Sequence, residues 1–389
     1  MRIALITIVG DASGSGVPIL GKSIARRQLE FALAAGCDAA IALGDGGGEE
    51  AIALRHQAEA GGMKFRTMGT THNLLGAVGT GDELLVIAPR LIPANADALR
   101  IVGESRSILV VPADPGISLG FERIDSARAW GGAMLIPGRL VEGLAQLPRD
   151  CDAAPALLRI ALQAQLPSRQ LAPAALTDGS WIVLRGLERP AVEALLLDRA
   201  LPRPPRSHFS VWLAGAVMRR FAPRLLGQRF AGPALKAGIV ALALAAGMAG
   251  AYGLPALSLA LVALVALAAE AAIAFDRMGA PALIAGGGKP ALFGNWGRWL
   301  ADALLVLCIA LAIGGEWHHR LFPPLALLAA LHAARPGGRR DLAAILGDRA
   351  VLAAAFAAAA LAGFTEQAAM LATLAILAFW AVAARKDGG

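Results

Sequence analysis

Residues 254–275 read LPALSLALVALVALAAEAAIAF, an apolar run broken by a single carboxylate, Glu270. A helix rises about 1.5 Å per residue, so about 20 residues cross a hydrocarbon core of about 30 Å. The run is long enough to do so and predicts an integral membrane protein. Further apolar stretches surround it, at residues 235–250, 299–314, 321–334, 350–364 and 368–384. The stretch 368–384 is expected to cross as comfortably; 321–334 is short and contains Pro323 and Pro324. The count predicts six transmembrane helices.

Charge placement supports that count. Arg219, Arg220, Arg224, Arg229 and Lys236 precede the first stretch, and the next loop, around Tyr252, has no charge. Asp276, Arg277, Lys289 and Arg298 follow the second stretch; Glu316, His318, His319 and Arg320 follow the third. Arg335, Arg339, Arg340 and Arg349 follow the fourth, Thr365-Glu366-Gln367 the fifth and Arg385-Lys386 the sixth. Basic residues near span ends mark the cytoplasmic side. The basic loops alternate, with Arg320 against the trend, and both termini are expected in the cytoplasm of a multi-pass inner (cytoplasmic) membrane protein.

The chain is 57% hydrophobic with a net charge of +7. Much of the excess charge adjoins the apolar stretches, where anionic lipid accounts for it, and no basic stripe interleaved with aromatics points to nucleic acid. Cys37, Cys151 and Cys308 are far apart and have no metal-ligand spacing, and no disulfide framework is expected.

The first 200 residues are of another kind. Residues 2–9 form an apolar β-branched run that ends at Gly10, Gly14 and Gly16. Helices are predicted over 25–35, 49–60, 139–147 and 155–165. Strands are predicted over 39–43, 64–68, 83–88, 107–111, 133–136 and 181–184. Alternation at this spacing indicates βαβ units and a mostly parallel sheet, whose ligands sit beyond the carboxyl ends of the strands. The Gly10–Gly16 turn is therefore the expected nucleotide or phosphate site. Pro202-Arg203-Pro204-Pro205 reads as a linker, and residues 207–230 as a basic amphipathic helix in the headgroup region. The expected domains are 1–200 (α/β), 201–233 (linker and interfacial helix) and 234–389 (six-helix membrane domain).

Two motifs overlap in the Gly-rich segment. Gly16 to Ser23 spells the P-loop pattern, in which Lys22 and Ser23 would reach phosphate and Mg²⁺. Six residues lie between the strand and that Gly, however, and Pro18 removes an amide donor. The other reading is a resemblance. Leu20-Gly21-Lys22-Ser23-Ile24, the helix end at Gly36-Cys37-Asp38 and the stretch GTTHNLLGA at 69–77 resemble sugar-nucleotide and cytidylyl nucleotidyltransferases. So do the strand 83–88 and Trp130-Gly131-Gly132. The resemblance implies a nucleotidyltransferase-like (Rossmann-like) cytoplasmic domain with nucleotide at Gly10, Gly14, Gly16 and Lys22. The family's metal-binding Asp after strand 83–88 is replaced by Ala88-Pro89-Arg90.

With six spans behind it, the chain resembles bifunctional inositol-phosphate cytidylyltransferase / CDP-alcohol phosphotransferase proteins. In the phosphotransferase family four carboxylates gather two divalent cations that grip the CDP pyrophosphate. Glu270, Asp276 and Arg277 stand at the matching end of the second stretch, and Gly294, Arg298 and Asp302 keep the second motif's spacing with Arg298 in place of an Asp. Both motifs are degenerate. The resemblance implies catalytic and metal-ligating roles for Glu270, Asp276 and Asp302, with Mg²⁺ or Mn²⁺ if the chain turns over. Pairing of Asp276 with Arg277 and of Asp302 with Arg298 is the structural alternative. The reaction implied is transfer of a phospho-alcohol from a CDP-activated donor to a lipid or polyol acceptor in polar-lipid head-group synthesis. The alternative is an inactive homologue acting as a membrane scaffold or regulator of an active partner. The partners expected are membrane lipid, a nucleotide or CDP-alcohol, and a second copy of the chain in a homodimer. A transporter would need mid-span polar residues and repeats, which are not visible.

Overall fold

The computed structural model describes residues 1–8, 18–149, 151–184, 189–203, 207–226, 228, 230–279, 292–333 and 347–387. Gly10, Gly14 and Gly16 lie outside the described residues. The chain clusters into two compact units, one being Met1–Ala200, the other Leu201–Gly279 with the described residues of 288–389.

Strand β1 (Arg2–Thr7) is apolar from Ile3 to Ile6 because it is covered there on both faces. Ala4 and Ile6 point into one core with Leu29 and Phe31, while Ile3 and Leu5 point into the other with Leu157 and Met134. Helix α1 (Ile24–Ala34), β2 (Ala39–Leu43), α2 (Glu49–Ala60), β3 (Lys64–Met68) and β4 (Glu83–Ile87) follow. These four strands pair parallel in the order β3-β2-β1-β4, as their alternation with helices predicts. Ser23 caps α1 by accepting from the Arg26 amide at 3.1 Å.

Beyond β4 come β5 (Leu91–Pro93), α3 (Ala96–Glu104), β6 (Ile108–Pro112), α4 (Ala113–Ser118), β7 (Glu122–Arg123) and β8 (Arg128–Pro137). Then α5 (Ala153–Gln163), β9 (Ser168–Gln170), α6 (Ala174–Thr177), β10 (Trp181–Val183) and α7 (Arg189–Ala200) complete the unit. The sheet is mostly parallel, as expected, β6 and β9 included, with one strand reversed. β8 runs antiparallel to β4, β6 and β7, so the sheet is mixed, in the order β3-β2-β1-β4-β8-β6-β9. The reversal comes from a tight turn in which the Asp125 carboxylate accepts from the amides of Ala127 (2.9 Å) and Arg128 (2.8 Å). The strand expected at 133–136 is only the end of β8, and the helix expected at 139–147 is a 3-10 segment, Gly138–Gln146.

The second unit opens with α8 (Phe209–Leu225), whose Ser210, Ala214 and Met218 are buried at helical spacing while Phe209, Trp212 and Phe221 are exposed. Six helices follow among the described residues: α9 (Ala231–Ala251), α10 (Pro255–Gly279), α11 (Leu292–Ala312), α12 (Trp317–Ala333), α13 (Arg349–Leu361) and α14 (Thr365–Asp387). Helix α10 is central and packs against α8, α9, α11 and α13. Two of the six, α9 and α10, are long and apolar enough to cross a membrane by length and composition. Helix α12 continues through Pro323 and Pro324 but has 17 residues.

The turns α9–α10 and α13–α14 are built alike. Gly253 and Gly363 take φ of +73° and +76°. The next amides, of Leu254 and Phe364, each reach back to the carbonyls of Ala249 and Ala359 at 2.9 Å. This is the glycine-terminated close that satisfies the last carbonyls of a helix and reverses the chain. On the α10–α11 seam, a Cβ on Gly297 would lie 2.9 Å from that of Ala269. The lack of one lets the two helices close up beside Glu270 and Arg298.

Two predictions follow from the soluble unit. A Cβ on Gly138 would stand 2.1 Å from the Gly79 carbonyl oxygen, where β8 ends beside β4. Gly138→Ala is expected to cost about 1–3 kcal/mol, the usual price of overpacking, seen as a lowered thermal midpoint. Burial pushes the Cys37 thiol up to about 12. At pH 8 it is therefore protonated, and iodoacetamide is expected to spare it while modifying the partly exposed Cys151, as peptide mapping would show.

Candidate functional site

The parallel strands β1, β2 and β4 all end on the same edge of the sheet, and a cavity of ≈ 610 Å³ opens there. Its wall includes Thr7, Thr70, Arg90, Glu122, Trp130 and Asp152. This is the place and the size range in which open α/β sheets hold small molecules. The loop after β4 carries Ala88, Pro89 and Arg90 onto the cavity wall. Gln28 on α1, fully buried, fixes that loop by donating to the carbonyls of Ala88 (2.8 Å) and Leu91 (2.9 Å). The segment that begins Gly69-Thr70-Thr71 lines the wall as well, and Thr71 is anchored by donating to the Cys151 carbonyl at 2.6 Å.

Lys22 is placed differently. Leu20 and Gly21 both have positive φ, and Ile19 and Lys22 exchange backbone hydrogen bonds across them. This two-residue turn points the Lys22 ammonium at Glu30, 2.6 Å away, and Lys22 is not on the cavity wall. Ser23 caps α1 and donates to Glu50. Neither of the residues that a P-loop would use for phosphate and Mg²⁺ is left uncommitted.

In the helical unit a smaller cavity of ≈ 350 Å³ lies between α8, α10, α11 and α13, lined by His208, Ser210, Glu270, Arg298, Asp348 and Arg349. Glu270 is held by Arg298, Nε to Oε1 at 2.8 Å and Nη2 to Oε2 at 3.1 Å. Asp302, nearly buried, accepts from Arg349 Nε at 2.8 Å and Nη2 at 3.3 Å, and lies 3.5 Å from His332 Nε2. The other ring nitrogen of His332 is 3.0 Å from the Leu328 carbonyl, and the ring stacks on Trp299. Asp276 pairs with Lys236 of α9 at 3.5 Å. The pairs differ from those expected along the sequence: Asp276 does not take Arg277, and Asp302 takes Arg349 while Arg298 goes to Glu270.

The three carboxylates are therefore not brought together. Glu270 and Asp276 are six residues apart on α10, which puts them about 9 Å apart along its axis and on different faces. Among the described residues no three His, Cys, Asp or Glu side chains form a group that could hold a metal ion. Mg²⁺ and Mn²⁺ need several hard oxygens turned to one point, and here each carboxylate is turned to a cation of the chain. As they stand, Glu270, Asp276 and Asp302 do not fit that role.

Sequence reasoning missed Asp348, Lys236, His332 and Gln28 as contributors. Asp348 accepts from the amides of Ala350 (3.1 Å) and Val351 (3.3 Å), and its other oxygen accepts from the Ser210 amide at 2.7 Å. An Asp directly before the apolar run 350–364 is a legible helix cap, and Gln28 is a polar residue on an otherwise apolar face of α1. Lys236 and His332 carry no such signal.

No family model matches the sequence, and no curated protein matches it. Among solved structures, similarity is found to a protein described as a glucose-1-phosphate thymidylyltransferase of Bacillus anthracis, in complex with a sucrose. The two are 11% identical with a TM-score of 0.35, over 44% of this chain and 87% of that one. UDP-glucose pyrophosphorylase complexed with UDP-glucose gives 12% and 0.33, over 44% and 91%. Values this low carry no statement about chemistry.

Asp302→Asn would leave Arg349 and His332 facing a neutral amide. A loss of about 1–3 kcal/mol is expected, below that of a fully buried pair because Arg349 is partly exposed. Adding Arg349→Gln should recover part of it. Thermal unfolding of the single and double variants in detergent measures the coupling.

Proposed function

We propose that the protein is a membrane-bound, nucleotidyltransferase-like protein that holds a nucleotide or nucleotide-activated head group in its soluble unit. In this reading the helical unit performs no metal-assisted transfer, and the protein serves as a scaffold or regulator for an active partner in polar-lipid head-group synthesis. The observation that carries it is the pairing of Glu270, Asp276 and Asp302 with Arg298, Lys236 and Arg349. A carboxylate already neutralised in this way is poorly placed to bind a divalent cation, and without that cation metal-assisted transfer lacks its Lewis acid.

Crossing of the membrane by all six helices belongs to the same proposal. Leu244, Met248, Leu264, Leu307, Leu371 and Leu374 are exposed on the helical unit, an apolar exterior that water does not tolerate over such an area. Exposed Tyr252, Trp317 and Phe364 lie at the α9–α10, α11–α12 and α13–α14 turns, and exposed Phe230, Trp296 and Trp299 beside the basic segments. Such belts favour the two headgroup layers. The multi-pass inner-membrane placement, the cytoplasmic termini and the homodimer remain parts of this reading, with no nucleic acid among the partners.

The second reading is the transferase itself, favoured by the polar cavity at Glu270 and Arg298. The two separate in one experiment. Full-length protein in detergent is titrated calorimetrically with CTP and CDP-alcohols, with Mg²⁺ and with EDTA, and assayed for release of CMP in the presence of lipid. Nucleotide binding without CMP release is expected. Metal-dependent CMP release, abolished by Glu270→Ala or Asp302→Ala, would establish the transferase; no nucleotide binding at all would remove both readings of the soluble cavity.

A further inference from the structure

The helical unit's cavity has a polarity that its composition hides. Its wall carries two carboxylates, Glu270 and Asp348, and two guanidinium groups, Arg298 and Arg349, so the fixed charges nearly cancel. The hydrogen bonds do not cancel. Glu270 is side-chain buried to 13% exposure and spends both oxygens on Arg298. Both oxygens of Asp348 face backbone amides, those of Ser210, Ala350 and Val351. Asp302, which holds Arg349, is 6% exposed. The acceptors have thus been turned inward.

The donors have been turned inward only in part. Arg349 gives Nε and Nη2 to Asp302 and Nη1 to the Gly347 carbonyl, which leaves Arg298 as the group with a free edge. Arg298 gives Nε and Nη2 to Glu270, and its Nη1 has no protein acceptor among the described residues. The Arg298 side chain is 51% exposed and stands on the cavity wall. A guanidinium has five N–H groups in a fixed fork, so a bidentate pair on one edge leaves the other edge aimed and charged. Arg298 and Asp302 are one helical turn apart on α11 and share a face. The guanidinium is held at Glu270, while Asp302 is taken by Arg349 and His332. A cavity whose acceptors are satisfied and whose free edge is a cationic donor suits an acceptor-rich anion.

We infer that this cavity is a metal-free receptor for a phosphate group carried on a small polar head group, with Arg298 in the role of the cation. Charge-assisted hydrogen bonds from an arginine fork are the strongest contacts that protein side chains make to phosphate. Glu270 holds the fork in place rather than ligating an ion. The phosphate could be that of a lipid or of a water-soluble ester; the chemistry at Arg298 is the same. The inference concerns a site apart from the nucleotide cavity and rests on the metal-free reading of Glu270 and Asp302.

The test uses the full chain in detergent with EDTA present. Glycerol 3-phosphate is titrated by calorimetry, with glycerol as the control, and phosphatidic acid against phosphatidylcholine is compared in nanodiscs by native mass spectrometry. Binding in either phosphate arm is expected, and the arm that responds identifies the source. Addition of Mg²⁺ should change the affinity less than twofold. Arg298→Ala should weaken binding at least tenfold. Arg298→Lys, which keeps the charge and loses the fork, should fall between. Thermal unfolding of both variants controls for folding, and if Arg298→Ala fails to fold the lysine variant alone decides. Equal binding of glycerol, unchanged affinity in the variants, or no binding in either arm overturns the inference while leaving the metal-free reading intact. Mn²⁺ bound by the wild-type chain at Glu270 and Asp302, detected by paramagnetic resonance, overturns both.

Discussion

A carboxylate removed from water must be met by a cation or by several donors, and in the helical unit this requirement organises everything at the basic end of the bundle. Glu270 joins α10 to α11 through Arg298, Asp302 joins α11 to α13 and α12 through Arg349 and His332, and Asp276 joins α9 to α10 through Lys236. Asp348 does the same for α8 by accepting from the Ser210 amide. Each pair lies between helices rather than along one, so the packing of the apolar faces and the pairing of the charges select the same arrangement. The close approach at Gly297 and Ala269 is what brings Glu270 within reach of the Arg298 fork. The same pairs turn these carboxylates toward cations of the chain.

The soluble unit follows a different logic. Backbone pairing sets its cavity: three parallel strands end together, and the loops that leave them have nowhere to go but around a shared opening. Gln28 holds one of those loops from beneath, its buried side-chain amide donating to the carbonyls of Ala88 and Leu91. The antiparallel β8 extends the sheet past β4 and contributes Trp130 and Gly132 to the wall. Arg90, Glu122 and Asp152 place charges of both signs on that wall.

How much of this was legible depended on whether a residue's partner was near it in sequence. The run of β-branched residues in β1, the helix end before Gly36 and the apolar run of 254–275 are local, and each corresponds to an element in the structure. Strands of two or three residues such as β5, β7 and β9 are too short to show a period, and they exist because β10, β8 and β6 lie beside them. Lys22 belongs to a Gly-Lys-Ser spelling, yet its direction is set by the turn at Leu20-Gly21 and by Glu30 on the next helix. Charge pairs were the hardest: Arg298 and Asp302 share a helix face, and the pairing still goes to Glu270 and Arg349, 28 and 47 residues away.

By itself the sequence determined the apolar helices, the parallel part of the sheet, the turn glycines and the types of charge at the helix ends. These follow from side-chain period, backbone freedom and hydropathy, which act over a few residues. Only the tertiary structure decided which cation meets which carboxylate, that β8 runs against its neighbours, and that the two cavities are walled by Arg90 and Arg298. Those outcomes depend on which segments meet in space, because desolvated charges and sheet edges take their partners from whatever packs against them.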